Sequence, residues 1–223
     1  MILRRPPASV NVGGKDYEIE TDFRTIIEVE NMIFGNLTEE QEAFAREIQR
    51  QSELSAEDAE LNARYFYAMQ LFYKGCIPDD LEEATEKLIW FYACGKKQKG
   101  NKPKEPVLSF VNDMDYINAG FLQDYGIDLF DVDYMHWWKF MSLFSALHDD
   151  CKICEIMGWR GADLSKMNKE QRKYARKMKN LYALPIETKV SKKELEMQRA
   201  IEEALMNGGD VSGVLEKIRS EQA

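Results

Sequence analysis

Hydrophobic positions follow a period of two near the amino end and the helical period after it. Val10 and Val12 alternate with polar residues, Gly13-Gly14 follows, and Tyr17 and Ile19 alternate again. Two such runs around a glycine pair predict a β-hairpin, because glycine takes the positive φ of a tight turn without steric cost. A lone hairpin is marginal in water, so it should lie against the helices that follow. Thr21-Asp22 offers a helix cap, and Phe23, Ile26, Ile27 and Ile33 step at helical spacing. Gly35 is expected to stop that helix in the left-handed conformation. Thr38 with Gln41 forms a capping box before a mostly polar helix that runs to about Arg50, and Ser55 with Asp58 forms a weaker one. The helix after Ser55 becomes apolar nearly all round from Tyr65 to Tyr73, which predicts a central position, and Gly75 ends it. Pro78-Asp79-Asp80 opens the next, with Leu81, Ala84, Leu88 and Phe91 on one face and Gly95 at its close.

Residues 96–106 contain no core-forming side chain and read as a solvated linker whose lysines extend it. Beyond it, Val107, Phe110, Val111, Met114, Ile117, Phe121 and Tyr125 recur by threes and fours up to Gly126. Asp131 or Asp133 is expected to cap a helix reaching about Leu147. Its Tyr134, Trp137, Trp138, Met141, Phe144 and Leu147 leave little polar surface, which makes it the centre of a second core. Asn168 with Gln171 opens a basic helix through Tyr182, and Pro185 ends the ordered core. In the tail, Ser191 and Glu194 form a capping box ahead of a narrow stripe, Leu195, Ile201, Ala204 and Leu205. Asn207-Gly208-Gly209 then breaks that pattern before a short piece with Val214, Leu215 and Ile218. The expected fold is all-α, a helical bundle with a short N-terminal β-hairpin, built either as two helical subdomains or as one continuous bundle. Its expected parts are 1–94 (hairpin plus helices), 95–106 (linker), 107–185 (C-terminal helical core) and 186–223 (helical or flexible tail).

Composition narrows the function more by exclusion than by suggestion. A chain of 223 residues suffices for one generous core or two small ones. The formal net charge of −9 argues against nucleic acid as a partner of the whole chain, since phosphate contacts need a basic footprint. No apolar run reaches the roughly 18 residues of a membrane span, and the two arginines at Arg4-Arg5 precede no apolar segment of a signal peptide. Cys76, Cys94, Cys151 and Cys154 are too sparse for a disulfide framework and fit reduced thiols in a cytoplasm.

Candidate chemistry is thin. His148, Cys151 and Cys154 form an H-x-x-C-x-x-C spacing that could supply three metal ligands. A zinc site would need a fourth from Cys76, Cys94, His136 or an acid, so the favoured account is two small apolar thiols and a histidine at a helix end. His136, before two tryptophans, has no nucleophile or acid nominated beside it and is expected to be packed or hydrogen-bonded. Asp113, Asp115, Asp124, Asp128, Asp131 and Asp133 do not follow a calcium-loop spacing. Helix capping accounts for several of them. The rest could face the basic helix of Lys166, Lys169, Arg172, Lys173, Arg176, Lys177 and Lys179, within one chain or between copies. No phosphate-cradling glycine loop, nucleophile signature or nicotinamide or flavin fingerprint is present in the sequence, so no catalytic residue and no cofactor is expected, and the chain reads as not an enzyme.

A set of short strings carries a resemblance. They are Arg5-Pro6-Pro7, Tyr17, Thr21-Asp22-Phe23-Arg24, Ile77-Pro78-Asp79-Asp80-Leu81-Glu82-Glu83-Ala84 and Trp90-Phe91-Tyr92-Ala93-Cys94-Gly95-Lys96. Further on come Tyr125-Gly126-Ile127-Asp128-Leu129, His136-Trp137-Trp138-Lys139-Phe140, Ile156-Met157-Gly158-Trp159-Arg160 and Leu181-Tyr182-Ala183-Leu184-Pro185. Together, in this order, they resemble the gp-fifteen family of siphophage proteins encoded near the tape-measure gene, over roughly residues 1–185. That resemblance implies a non-enzymatic tail assembly chaperone in the host bacterial cytoplasm. Such a protein would keep the long helical tape-measure protein soluble until tail-tube subunits polymerise around it. The rival expectation is a minor tail or connector protein retained in the virion. Self-association into a homo-oligomer is expected because many copies must cover one client.

Overall fold

Gly13 and Gly14, at φ 58° and 81°, hold the two-residue turn between strands β1 (Ser9–Val12) and β2 (Lys15–Glu18). The strands pair antiparallel with Val10 opposite Tyr17 and Val12 opposite Lys15, as the period of two requires. A computed structural model describes residues 5–96 and 106–185, which belong to one compact unit, Met1–Pro185. The expected capping box and apolar stripe of the tail lie outside the described residues, as does most of the lysine-rich linker. The hairpin is pinned at both ends. Its turn donates from Gly13 N–H to Glu83 at 2.7 Å, and beyond β2 the chain pairs with the segment after the third helix, Glu20 N–H to Phe72 O at 2.8 Å and Lys74 N–H to Glu18 O at 3.0 Å.

Eight α-helices follow among the described residues: α1 (Phe23–Phe34), α2 (Glu39–Gln51), α3 (Ala56–Phe72), α4 (Leu81–Tyr92), α5 (Phe110–Tyr125), α6 (Trp137–Phe144), α7 (Lys152–Gly161) and α8 (Lys169–Leu181). Most caps are those the sequence spells, and Ser109 adds one it did not announce. Asp22, Thr38, Ser55, Asp80, Ser109 and Asn168 each accept from a backbone N–H of the first turn, and both boxes close, Thr38 with Gln41 and Asn168 with Gln171. Gly126 ends α5 at φ 64°.

Four local expectations give way to tertiary structure. Gly35 ends α1 in extended rather than left-handed backbone; it is there because a Cβ would meet Asn31 O at 2.6 Å, and Arg64 reaches over it to the Ile33 and Gly35 carbonyls. Leu81 stands half-exposed, so the buried face of α4 is Ala84, Leu88 and Phe91. The apolar second half of α3 is not enclosed on all sides: Phe66 and Tyr67 are half-buried, with the ring of Phe44 from the mostly polar α2 against both. The helix expected from Asp131 or Asp133 to Leu147 is α6 alone, capped by His136. The preceding residues are instead drawn into pairing with the start of α1, Phe23 N–H to Met135 O at 2.9 Å, Trp137 N–H to Thr21 O at 2.7 Å and Met135 N–H to the Asp22 carboxylate at 3.1 Å. A chain held in a bridge cannot also wind into a helix.

The described halves share one core. Phe140 of α6 lies at its centre, stacked on Phe23 of α1 (centroids 4.8 Å apart) and Phe121 of α5 (5.3 Å), with Trp137 at 5.6 Å. Phe72, Phe91, Ile26, Leu88 and Ile117 continue the same cluster, so α6 joins both halves instead of founding a separate core. No described helix is long and apolar enough to cross a membrane.

Candidate functional site

Two tryptophans close the C-terminal end of α4. The last carbonyls of a helix have no intrahelical donor, and an indole N–H that leaves water needs an acceptor. Here each solves the other: Trp137 Nε1–H donates to Tyr92 O and Trp138 Nε1–H to Phe91 O, both at 2.9 Å, so α6 closes the C-terminal end of α4. His136 sets this arrangement. Its Nδ1 accepts from Trp138 N–H at 3.0 Å as the helix cap, which leaves Nε2–H to donate to Pro7 O at 3.1 Å. Burial lowers its pKa and favours that neutral form. The expectation of a hydrogen-bonded histidine holds, with capping as its work.

After Tyr92 the chain turns away through Cys94 and Gly95, at φ 55° and 69°. A Cβ on residue 95 would come within 3.1 Å of the Trp138 ring, so both space and backbone ask for glycine there. The turn leaves an open groove of about 560 Å³ between the end of α4 and α6. Tyr92, Cys94, Trp138 and Met141 supply apolar walls, Ser142 of α6 and Ala146 just after it the rim, and Lys96 a cation. Ile89 and Trp90 stand part-exposed on α4 close by, with Trp90 edge-on to Trp138 at 5.5 Å. Tyr92 is fixed from behind, its hydroxyl donating to Glu30 at 2.7 Å; burial holds the Glu30 carboxyl above the ordinary range and the Cys94 thiol above its own. Among the described residues, such a groove offers apolar contact and the positive charge of Lys96. Its size falls within the range of ligand sites, about 300–1,000 Å³.

Two of the three H-x-x-C-x-x-C residues, His148 and Cys151, serve one carboxylate, while Cys154 is half-buried against the core. Asp124 accepts from His148 N–H at 2.8 Å, from the His148 ring at 3.0 Å and from the Cys151 thiol at 3.4 Å. Burial pushes the Cys151 thiol up to about 11, and no group of three potential ligands is close enough to hold a metal among the described residues. His148 is raised above 6.5 chiefly by its bond to Asp124, and Asp124 is held below 3.8 chiefly by His148 N–H. The raised histidine stabilises below about pH 6.5 and loses this as pH rises through its folded value; the lowered aspartate contributes above about pH 3.8 and loses this on acidification. Imidazole NMR should therefore show His148 titrating above 6.5, and Asp124→Asn should bring it back toward that value.

The remaining acids part company. Asp113, buried, forms a two-bond pair with Arg160 of α7 at 2.6 and 2.9 Å, while Arg160 also donates to Val107 O and Tyr182 O. Asp128 accepts from Phe130 N–H, and Asp115, Asp131 and Asp133 are exposed. No described ion pair joins any of these acids to α8. The sequence reading missed Arg160 as the partner of Asp113 and missed the groove altogether, although the Trp pair and the Cys94-Gly95 turn were its local traces.

The strings behind the resemblance are partners in space. Thr21-Asp22-Phe23 pairs with Met135-His136-Trp137, Arg24 donates to the carbonyls of Leu129, Val132 and Asp133, the Trp pair closes Phe91-Tyr92, and Arg160 reaches Tyr182. The result is a mostly helical protein with an N-terminal hairpin and an apolar groove at a helix end. The family described as Bacteriophage Gp15 protein matches residues 4–184, and the chain belongs to it. No curated protein and no solved structure matches the chain.

Proposed function

We propose that this phage protein is a non-enzymatic tail assembly chaperone that holds apolar helical segments of the tape-measure protein in the host cytoplasm before the tail tube forms around them. The observation that carries the reading is the groove between α4 and α6. It is open and apolar, and aromatic side chains and Met141 line it, features that accept the apolar face of a client helix. Lys96 would meet an acidic residue or a helix C-terminus of that client. Membership of a bacteriophage family supplies the setting, and the resemblance supplies the client.

Blocking the groove tests it. Ser142 and Ala146 are exposed on its rim, so Ser142→Arg with Ala146→Arg should leave the fold intact and fill the space. Capture of the co-expressed tape-measure protein by the tagged variant should fall by about tenfold or more, the effect of losing one well-packed anchor region. Equal capture by variant and wild type would remove the groove from the account. Mass spectrometry of mature virions separates the rival role, because a chaperone should be absent and a minor tail or connector protein present in fixed copy number.

A further inference from the structure

Helix α8 carries a cationic stripe that no carboxylate pairs with among the described residues. Lys169, Lys173, Arg176 and Lys177 recur by threes and fours on one face, are exposed, and form no ion pair among the described residues. The opposite face is the one that is held, with Ala175 buried and Arg172 donating to Leu164 O and Met167 O at 3.0 Å each. Tyr174 and Leu181, 55% and 64% exposed and two turns apart, edge the stripe. Like charges at these spacings weaken a helix, so the pattern asks for an anionic cover.

The same molecule presents such a cover elsewhere. Residues 128–134, between α5 and α6, expose the carboxylates of Asp128, Asp131 and Asp133 together with Phe130 and Tyr134, 64% and 55% exposed. This loop is rigidly held. Arg24 gathers its carbonyls inward, Asn118 accepts from Leu129 N–H at 2.7 Å, and the Tyr134 hydroxyl meets Thr21 Oγ1 at 2.7 Å. The three carboxylates form no ion pair among the described residues, so the loop and α8 do not neutralise one another within the chain.

We infer that α8 of one copy docks on the 128–134 loop of a second copy. A net charge of −9 repels random approach of two copies, and docking the basic helix on the acidic loop is the orientation that local charge favours. Single exposed ion pairs are weak, so the charges set orientation while Tyr174 and Leu181 pack against Phe130 and Tyr134 to hold it. The two patches are different surfaces. Each docked copy therefore leaves one of each free, and the contact closes into a ring or continues as an array. This inference needs no client and does not rest on the groove.

Sedimentation velocity of the full chain alone tests it. At low salt, mass should rise with concentration, and moving from 50 to 500 mM NaCl should lower the association constant by about tenfold or more. Lys173→Glu with Arg176→Glu should give monomers, as should Asp131→Lys with Asp133→Lys, each with unchanged helical circular dichroism. The chain carrying all four reversals should associate again, an outcome that a folding defect cannot produce. A wild-type chain that stays monomeric at low salt, or association that neither reversal disturbs, overturns the inference. So does a monomeric wild type that binds single-stranded RNA through α8, which would assign the stripe to nucleic acid.

Discussion

Phe140→Ala should lower the unfolding free energy by about 3–5 kcal/mol, the cost of deleting a fully buried aromatic ring and leaving its cavity. Phe140 is 0% exposed and touches rings from α1, α5 and its own helix: Phe23, Phe121, Phe110, Trp137 and Phe144. The site cannot collapse easily because each of those rings is itself held by other neighbours, which places the cost toward the upper end. Against a total of about 5–15 kcal/mol for a domain, the loss would leave a marginal fold. Equilibrium urea unfolding should show a much lower midpoint with an unchanged slope. Trp137, Trp138 and the rest of the aromatic core should report one transition, because Phe140 belongs to a cluster fed by both halves of the chain. Phe34→Ala is the control. That ring is 71% exposed at the end of α1, and its removal should change stability by less than about 0.5 kcal/mol.

The second large effect sits at the buried ion pair. Arg160→Met should cost about 3–5 kcal/mol, since it strands the Asp113 carboxylate in a site where both side chains are nearly inaccessible, 9% and 2%. The Val107 and Tyr182 carbonyls also lose their donor, which loosens the entry to α5 and the end of α8. Adding Asp113→Leu to Arg160→Met should recover part of the loss, because an apolar pair leaves no buried charge. Recovery stays partial, since Asp113 also accepts from Ser109 N–H at 3.0 Å. Thermal unfolding of the single and the double variant, side by side with wild type, checks the order of the three.

What was legible in the sequence was local. Gly13-Gly14 needs only its own φ values, and the boxes Thr38 with Gln41 and Asn168 with Gln171 close within one turn, so spacing alone announces them. What was hidden depends on partners far along the chain. Asp131 and Asp133 look like caps, yet Asp22, more than a hundred residues earlier, takes Met135 N–H and moves the helix start to His136. Gly35 looks like a left-handed stop, yet it is small because of Asn31. Helix α7 gave little warning, with Ile153 and Ile156 as its buried apolar positions and an arginine whose purpose is Asp113, 47 residues away. The groove exists only because the indoles of α6 find the carbonyls of α4, 45 and 47 residues earlier, and no periodicity encodes that meeting.

The chaperone reading turns on one comparison, co-expression of the tape-measure protein with no partner, with the wild-type chain, and with the Ser142→Arg, Ala146→Arg chain. The account predicts soluble, co-eluting tape-measure protein with the wild type alone, and insoluble material in the other two cases. Tape-measure protein that stays insoluble beside the wild type, or is equally soluble without it, would contradict the account and make the virion role the leading one.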